Sequence, residues 1–268
     1  MDTNTIILAF ALTLFAGLST GIGSAIAFFA KRTSKRFLSL ALGFSAGVMI
    51  YISFVELFPL AVSHFEQTMD KRFSEGFTAV AFFAGMFLIA IIDRLIPSYE
   101  NPHEVKSLET SNGQSEYKGL KRMGILSAIA IGIHNFPEGM ATFTSSLADK
   151  EIAFPIAIAI ALHNIPEGIA VSMPVYFATG NKRKAFWLSF LSGLAEVLGA
   201  VIAFVLIRFV FGVSSTVLGI MFAAVAGIMV FISIDELLPA SKEYGAHHLS
   251  IYGLIAGMIT MAVSLILL

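Results

Sequence analysis

Eight apolar runs dominate this chain, at roughly 5–30, 37–62, 73–96, 123–147, 152–178, 185–211, 215–240 and 249–268. Each reaches or exceeds the ~20 residues that a helix needs to cross the hydrocarbon core of a bilayer. Lipid offers the backbone no water to bond, so each run must satisfy its own N–H and C=O groups as a helix. The expected fold is therefore an all-α polytopic membrane protein with eight transmembrane helices, a single membrane domain over 1–268. A chain that is 57% hydrophobic and 13% charged is not a soluble globule. No basic n-region precedes the first run, which reads as a membrane helix and not as a cleaved signal. The one long polar stretch, about 97–121 with Pro102 and Gly113, reads as a flexible loop between the third and fourth spans. With no cysteine, disulfides and thiolate metal ligands are excluded.

Basic residues set the orientation. Loops after the odd-numbered spans carry Lys31, Arg32, Lys35, Arg36, Arg94, Lys106, Lys118, Lys121, Arg122, Lys182, Arg183, Lys184 and Lys242, against Lys71, Arg72, Lys150 and Arg208 on the other side. That bias puts the richer side in the cytoplasm and both termini outside. An internal repeat adds geometry. AGLSTGIGSAIAF (16–28) aligns on SGLAEVLGAVIAF (192–204), and AGVMIYISFVELFP (46–59) on AGIMVFISIDELLP (226–239), which pairs Glu56 with Glu236 and Pro59 with Pro239. The third and eighth spans share only AGM, at 84–86 and 256–258. Each pair is five spans apart, so its members cross in opposite directions. The layout expected is 3+2+3, an inverted repeat around a two-helix centre, as in carriers whose site opens alternately to each side.

That centre holds the chemistry. The fourth span contains His134-Asn135-Phe136-Pro137-Glu138-Gly139 and the fifth His163-Asn164-Ile165-Pro166-Glu167-Gly168. On a helix the His and Glu of each motif share a face at i and i+4, with the Asn at its edge. Each proline lacks an N–H and leaves the carbonyl four residues back, of Ile133 or Leu162, without its helical donor. Imidazole, carboxylate, amide and freed carbonyl together are the inventory of a divalent-cation site. Depth agrees. His134 lies twelve residues beyond Arg122 and His163 twelve beyond Glu151, about 18 Å of helix in each case. Glu196 is also deep in its span, whereas Glu56 lies near the outer end of the second span and Asp235 and Glu236 near the inner end of the seventh. These three read as a mouth and an exit.

The spans thus hold Glu56, Glu138, Glu167, Glu196, Asp235 and Glu236 beside His134 and His163, with no lysine near them, and Arg208 is about 18 Å from Glu196 along the helix. Acids in hydrocarbon must take up protons or face a cation. The plain reading of Glu56 or Asp235 alone is a helix–helix hydrogen bond. Pro155 and Pro174 read as kinks, and Gly17/Gly21, Gly43/Gly47 and Gly253/Gly257 as close-packing seams. Two copies of H-N-x-P-E-G resist so plain a reading.

The two motifs, in successive helices, resemble the paired signature of the ZIP family of divalent-metal transporters, and the short loop and lack of cysteine are most similar to its bacterial zinc-uptake members. The resemblance implies a binuclear metal centre between the fourth and fifth helices. It assigns His134, Glu138, His163 and Glu167 as principal ligands, with Asn135, Asn164 and Glu196 completing a second position and Glu56 a further ligand. The loop departs from the histidine-rich form of many relatives, since it holds only His103.

The function expected is import of divalent transition metal into the cytoplasm across a bacterial inner (plasma) membrane, zinc first, with Fe²⁺, Mn²⁺, Co²⁺ and Cd²⁺ also accepted by nitrogen and oxygen ligands. The metal is cargo; no catalytic cofactor and no enzymatic activity are expected. Partners are the lipid bilayer and the metal ions, with no nucleic acid; a homodimer is compatible with the sequence. An intramembrane metallopeptidase is disfavoured because H-E-x-x-H is absent. A proton-coupled organic-solute carrier, or a proton carrier, would use the same buried carboxylates without metal.

Overall fold

A computed structural model describes residues 2–29, 35–95, 132, 135–148, 150–212, 214–244 and 247–267. Every secondary-structure element among them is helical. The 97–121 loop, His103 and His134 lie outside the described residues. The first span is α1 (Thr3–Phe29). The second comprises α2 (Lys35–Ile52) and α3 (Phe58–Glu66), joined through a π-helical turn at Ser53–Leu57. The third is α4 (Lys71–Leu95). Residues 135–148 form α5, and α6 runs over Lys150–Thr179. The sixth span divides into α7 (Lys182–Gly193) and α8 (Ala195–Val205), ending in a π turn at Leu206–Phe211. The seventh comprises α9 (Ser215–Ile232), a π turn at Ser233–Leu237 and α10 (Leu238–Tyr244); the eighth is α11 (His247–Leu267).

Among the described residues, six stretches are long and apolar enough to cross a membrane: Thr3–Ala25, Ser39–Glu66, Lys71–Arg94, Lys182–Val210, Ser215–Lys242 and His248–Leu267. The fifth run is a shorter apolar helix at Ala153–Ile169. Phe73, Phe77, Val80 and Phe87 on α4, and Ile255, Ile259 and Ile266 on α11, stand exposed. In water such faces would aggregate; in a bilayer they are the solvated surface.

Two features refine the sequence reading. Spans two and seven are not continuous α-helices. Pro59 and Pro239 have no N–H and would press their rings on the carbonyls of Val55 and Asp235. The chain widens instead: the N–H of Phe58 bonds the carbonyl of Ser53, and that of Leu238 the carbonyl of Ser233, an i→i−5 reach. Glu56 and Glu236 ride on these matched π turns. The sixth span breaks at Leu194, directly after Gly193, whose backbone is pressed against α1; an added Cβ there would stand 2.5 Å from the Gly17 carbonyl oxygen.

The glycine contacts recur in pairs. A Cβ on Gly17 would meet the Gly193 carbonyl oxygen at 2.6 Å, the converse of the contact just given. Gly23 lies against Ile165, and its aligned partner Gly199 against Phe136, the third residues of the two motifs. Gly85 lies on Ala224 as Gly257 lies on Phe44, and Gly47 on Leu254 as Gly227 on Phe82. The AGM shared by spans three and eight, slight as sequence, thus marks equivalent seams of α4 on α9 and of α11 on α2. Small residues let helices approach closely enough for dispersion contacts to hold them, since lipid supplies no hydrophobic drive.

Candidate metal centre

The centre lies where α1, α5, α6 and the α7–α8 break meet. Gly139 and Gly168, which close the two motifs, make the meeting close: a Cβ would stand 1.9 Å from the Glu196 carbonyl oxygen and 2.0 Å from that of Thr20, respectively. Thr20 and Glu196 occupy the same position in the aligned repeat. The asparagines obey the same pairing. Asn164 Nδ2 donates to the Ala16 carbonyl at 2.9 Å, and Asn135 Nδ2 donates to the Ser192 carbonyl at 3.3 Å. Ala16 and Ser192 are the first aligned pair of that repeat. Each amide nitrogen is therefore tied to the backbone of the facing helix.

The carboxylates are buried with them. Glu138 and Glu196 are 0% exposed and Glu167 1%. Asn164 Nδ2 also donates to Glu196 Oε1, and the Asn135 side chain hydrogen-bonds Glu167. Glu196 sits in the first turn of α8, where unpaired N–H groups favour negative charge. The groups that act on Glu167 through their charge are themselves acids: Glu138, Glu196 and Glu236. Acceptors remain unfilled. Among the described residues, Asn164 Oδ1, Glu196 Oε2 and Thr20 Oγ1 are buried and find no hydrogen-bond partner. A buried acceptor lacking a donor is costly, and a carboxylate more so. Oxygen donors held rigidly among mutually repelling acids fit a cation as the missing partner.

Of the sequence candidates, Asn135, Glu138, Asn164, Glu167 and Glu196 converge here. His163 lies on α6, one turn before Glu167, though its side chain is not among those described; His134 lies outside the described residues. Among the described residues no three His, Asp or Glu side chains close into a ready metal cluster. Glu236 is half-buried and an electrostatic neighbour of Glu167, while Asp235 is exposed and Glu56 half-buried on its own π turn. Sequence reasoning missed the carbonyls of Ala16 and Ser192, which only their shared place in the repeat could have signalled. It also missed a serine bridge: Ser24 Oγ bonds Ser189 Oγ at 2.6 Å, and Ser189 donates to the Gly168 carbonyl at 3.2 Å, tying α1 and α7 to the second motif.

Comparison with known proteins meets this geometry from another side. The profile of the ZIP zinc transporter family matches residues 3–118 and 97–265. A zinc transporter ZupT of Streptococcus mutans is 63% identical over 259 residues, 97% of each chain. Proteins of the same name from Clostridium perfringens and Nitratidesulfovibrio vulgaris are 55% and 54% identical, covering 99% and 100% of this chain and 98% and 99% of their own. Likeness of that extent, end to end and including both motif-bearing helices, leaves one conclusion: the chain is a multi-pass membrane protein that belongs to the ZIP zinc transporter family.

Proposed function

We propose that this protein carries zinc across the plasma membrane into the cytoplasm, and that Fe²⁺, Mn²⁺, Co²⁺ and Cd²⁺ can follow the same path. The observation that carries the reading is the buried knot of acids: Glu138, Glu167 and Glu196 act on one another through like charge, beside two oxygens, Asn164 Oδ1 and Glu196 Oε2, that no donor among the described residues fills. The names of the bacterial relatives support zinc as the cation. Two metal positions are proposed between α5 and α6. His134, Glu138, His163 and Glu167 are the principal ligands, Asn135, Asn164 and Glu196 complete the second position, and Glu56, Asp235 and Glu236 line the approach and release paths. Imidazole and carboxylate bind metal only when deprotonated, so protons and metal compete for this site, which gives a carrier a means of release without ATP.

The proposed topology is eight membrane helices in a 3+2+3 inverted repeat with both termini outside. The paired glycine seams and paired asparagine bonds support it, because each contact recurs between the matched partners. Alternating access of such repeats would expose the centre to one side at a time. The test is uptake by the purified chain in liposomes. His163→Ala and Glu167→Ala should abolish zinc entry while the proteins still purify as single species. Wild-type uptake by either would remove the ligand assignment. Purified wild-type protein that neither holds zinc nor responds to zinc or cadmium would favour a proton or organic-solute carrier.

A further inference from the structure

The transport reading leaves two hydroxyls on α5 unexplained. Thr142 and Ser145 follow Glu138 at i+4 and i+7, and the three stand within about 60° of one another around the helix. The opposite face is oily. Phe143 packs among Ala9, Ala200 and Ala203, its ring 4.8 Å from that of Phe10 and 6.2 Å from that of Phe204, with Met140 and Leu147 beside it. Thus α5 is two-faced although both faces are inside the protein.

Its hydroxyls do not all behave alike. Thr142, Thr144 and Ser146 each donate to the carbonyl four residues back, at 3.0, 2.6 and 2.7 Å. That is the ordinary refuge of a hydroxyl in an apolar helix. Ser145 departs from it: its Oγ is fully buried and has no hydrogen-bond partner among the described residues, on the face that carries Glu138. Thr142, while donating to the Glu138 carbonyl, keeps oxygen lone pairs on that same face. The second motif supplies a comparison. Twenty-nine residues on, the matching positions are Glu167, Val171 and Pro174. The carboxylate recurs and the hydroxyls do not, so packing around the motif does not require them.

We propose that Thr142 and Ser145 form an outer access site for a partly hydrated divalent cation, which rests on their hydroxyl oxygens before passing to Glu138. The proposal rests on the transport reading and its topology, which places the far end of α5 outside. Neutral oxygens suit such a way station, because they replace hydration water yet hold the ion weakly enough to let it go on. Both side chains are 0% exposed, so the site is closed in this conformation and loads when the outer side opens.

The chain has no cysteine, so a single introduced thiol reports alone. An impermeant, cationic methanethiosulfonate added outside should modify Ser145→Cys and Thr142→Cys, and external zinc should slow the reaction. Phe143→Cys, on the oily face, should stay unmodified, and Glu66→Cys, at an exposed outer position, shows that the reagent arrives. Failure to modify Ser145→Cys while Glu66→Cys reacts, or modification that zinc does not slow, overturns the proposal. In uptake, the Thr142→Val/Ser145→Ala double variant should raise KM for external zinc about tenfold, the size of one or two lost polar contacts. Its kcat should hold, Thr142→Ser with Ser145→Thr should restore KM, and Thr144→Val should change neither. A lower kcat at unchanged KM would mean a merely structural role. The underlying transport reading fails by a different result, namely wild-type uptake in Glu167→Ala, which none of these variants measures.

Discussion

The glycine that ends each motif gives the most demanding test of how the centre is held. In Gly168→Ala the new Cβ would lie 2.0 Å from the Thr20 carbonyl oxygen, whereas ordinary contact begins at 3.4 Å, so α1 and α6 must part by about 1.4 Å. Neither side can yield cheaply, because the obstacle is backbone in a buried helix. Overpacking of this kind costs roughly 1–3 kcal/mol, which a membrane bundle can survive folded. Function is less tolerant. Binding constellations need to be held within about 0.5 Å, and a displacement of ~1 Å costs on the order of 100-fold in rate. Zinc uptake by Gly168→Ala in liposomes should therefore fall by about two orders of magnitude, with a modest loss of thermal stability. Gly257→Ala separates the two effects. Its overlap is nearly the same, 2.1 Å from the Phe44 carbonyl oxygen, but on the α2–α11 seam. It should be destabilised comparably and carry zinc far better. Gly76→Ala, with nothing within 4 Å, should be neutral or slightly stabilising. Wild-type uptake by Gly168→Ala, or equal impairment of Gly257→Ala, would refute the claim that these glycines set the spacing of the centre.

Asn164→Ala removes the donor shared by the Ala16 carbonyl and Glu196; the two orphaned acceptors should lower stability by about 1–3 kcal/mol, seen as a lower melting temperature that added zinc partly restores. Pro239→Ala returns an N–H to the seventh span, which should close its π turn and rotate Glu236 by about 100° relative to the α10 side; slower uptake and a changed zinc-to-cadmium preference in competition assays are expected, and Pro59→Ala should do the same to Glu56. Glu56→Ala and Glu236→Ala should slow uptake or shift selectivity without abolishing it, and complete loss in both would mean that the metal path runs elsewhere.

Which side chains meet at the candidate centre was legible in the sequence, because the motifs are written in side chains. H-N-x-P-E-G named Asn135, Glu138, Asn164 and Glu167, and depth within its span drew attention to Glu196. Six of the eight apolar runs likewise located, to within a few residues, helices long enough to cross a membrane among the described residues. What escaped was backbone. No residue type announces that the carbonyls of Ala16 and Ser192 receive the asparagine amides, since any residue there supplies a carbonyl. The π turns could have been inferred from Pro59 and Pro239, but a single extra residue in a turn leaves hydrophobic periodicity almost unchanged. The break at Leu194 was hidden for a related reason: it follows from the approach of α1 to Gly193, a tertiary fact. Nor does the motif's final glycine explain itself until a carbonyl oxygen is found where its Cβ would be.

The two halves of the protein agree in backbone and differ in side chains, and that difference bears on direction. Asn135 on Ser192 matches Asn164 on Ala16, and Gly139 on Glu196 matches Gly168 on Thr20. Yet Thr20 stands where the other half has Glu196, Ser24 where it has Ala200, and Val171 and Pro174 where it has Thr142 and Ser145. Matched backbones allow two conformations of comparable energy, which alternating access requires, because a ligand can shift only an equilibrium whose states lie within a few kcal/mol. Unmatched side chains then decide what each conformation offers the ion. On the proposed topology the outer route from Glu138 along α5 carries Thr142 and Ser145, whereas the sequence positions that match them after Glu167 are Val171 and Pro174, and beyond the centre Glu236 acts on Glu167 through its charge. Exchanging the rows, with Val171→Thr added to Thr142→Val, should therefore leave the fold intact and weaken capture from outside more than release within.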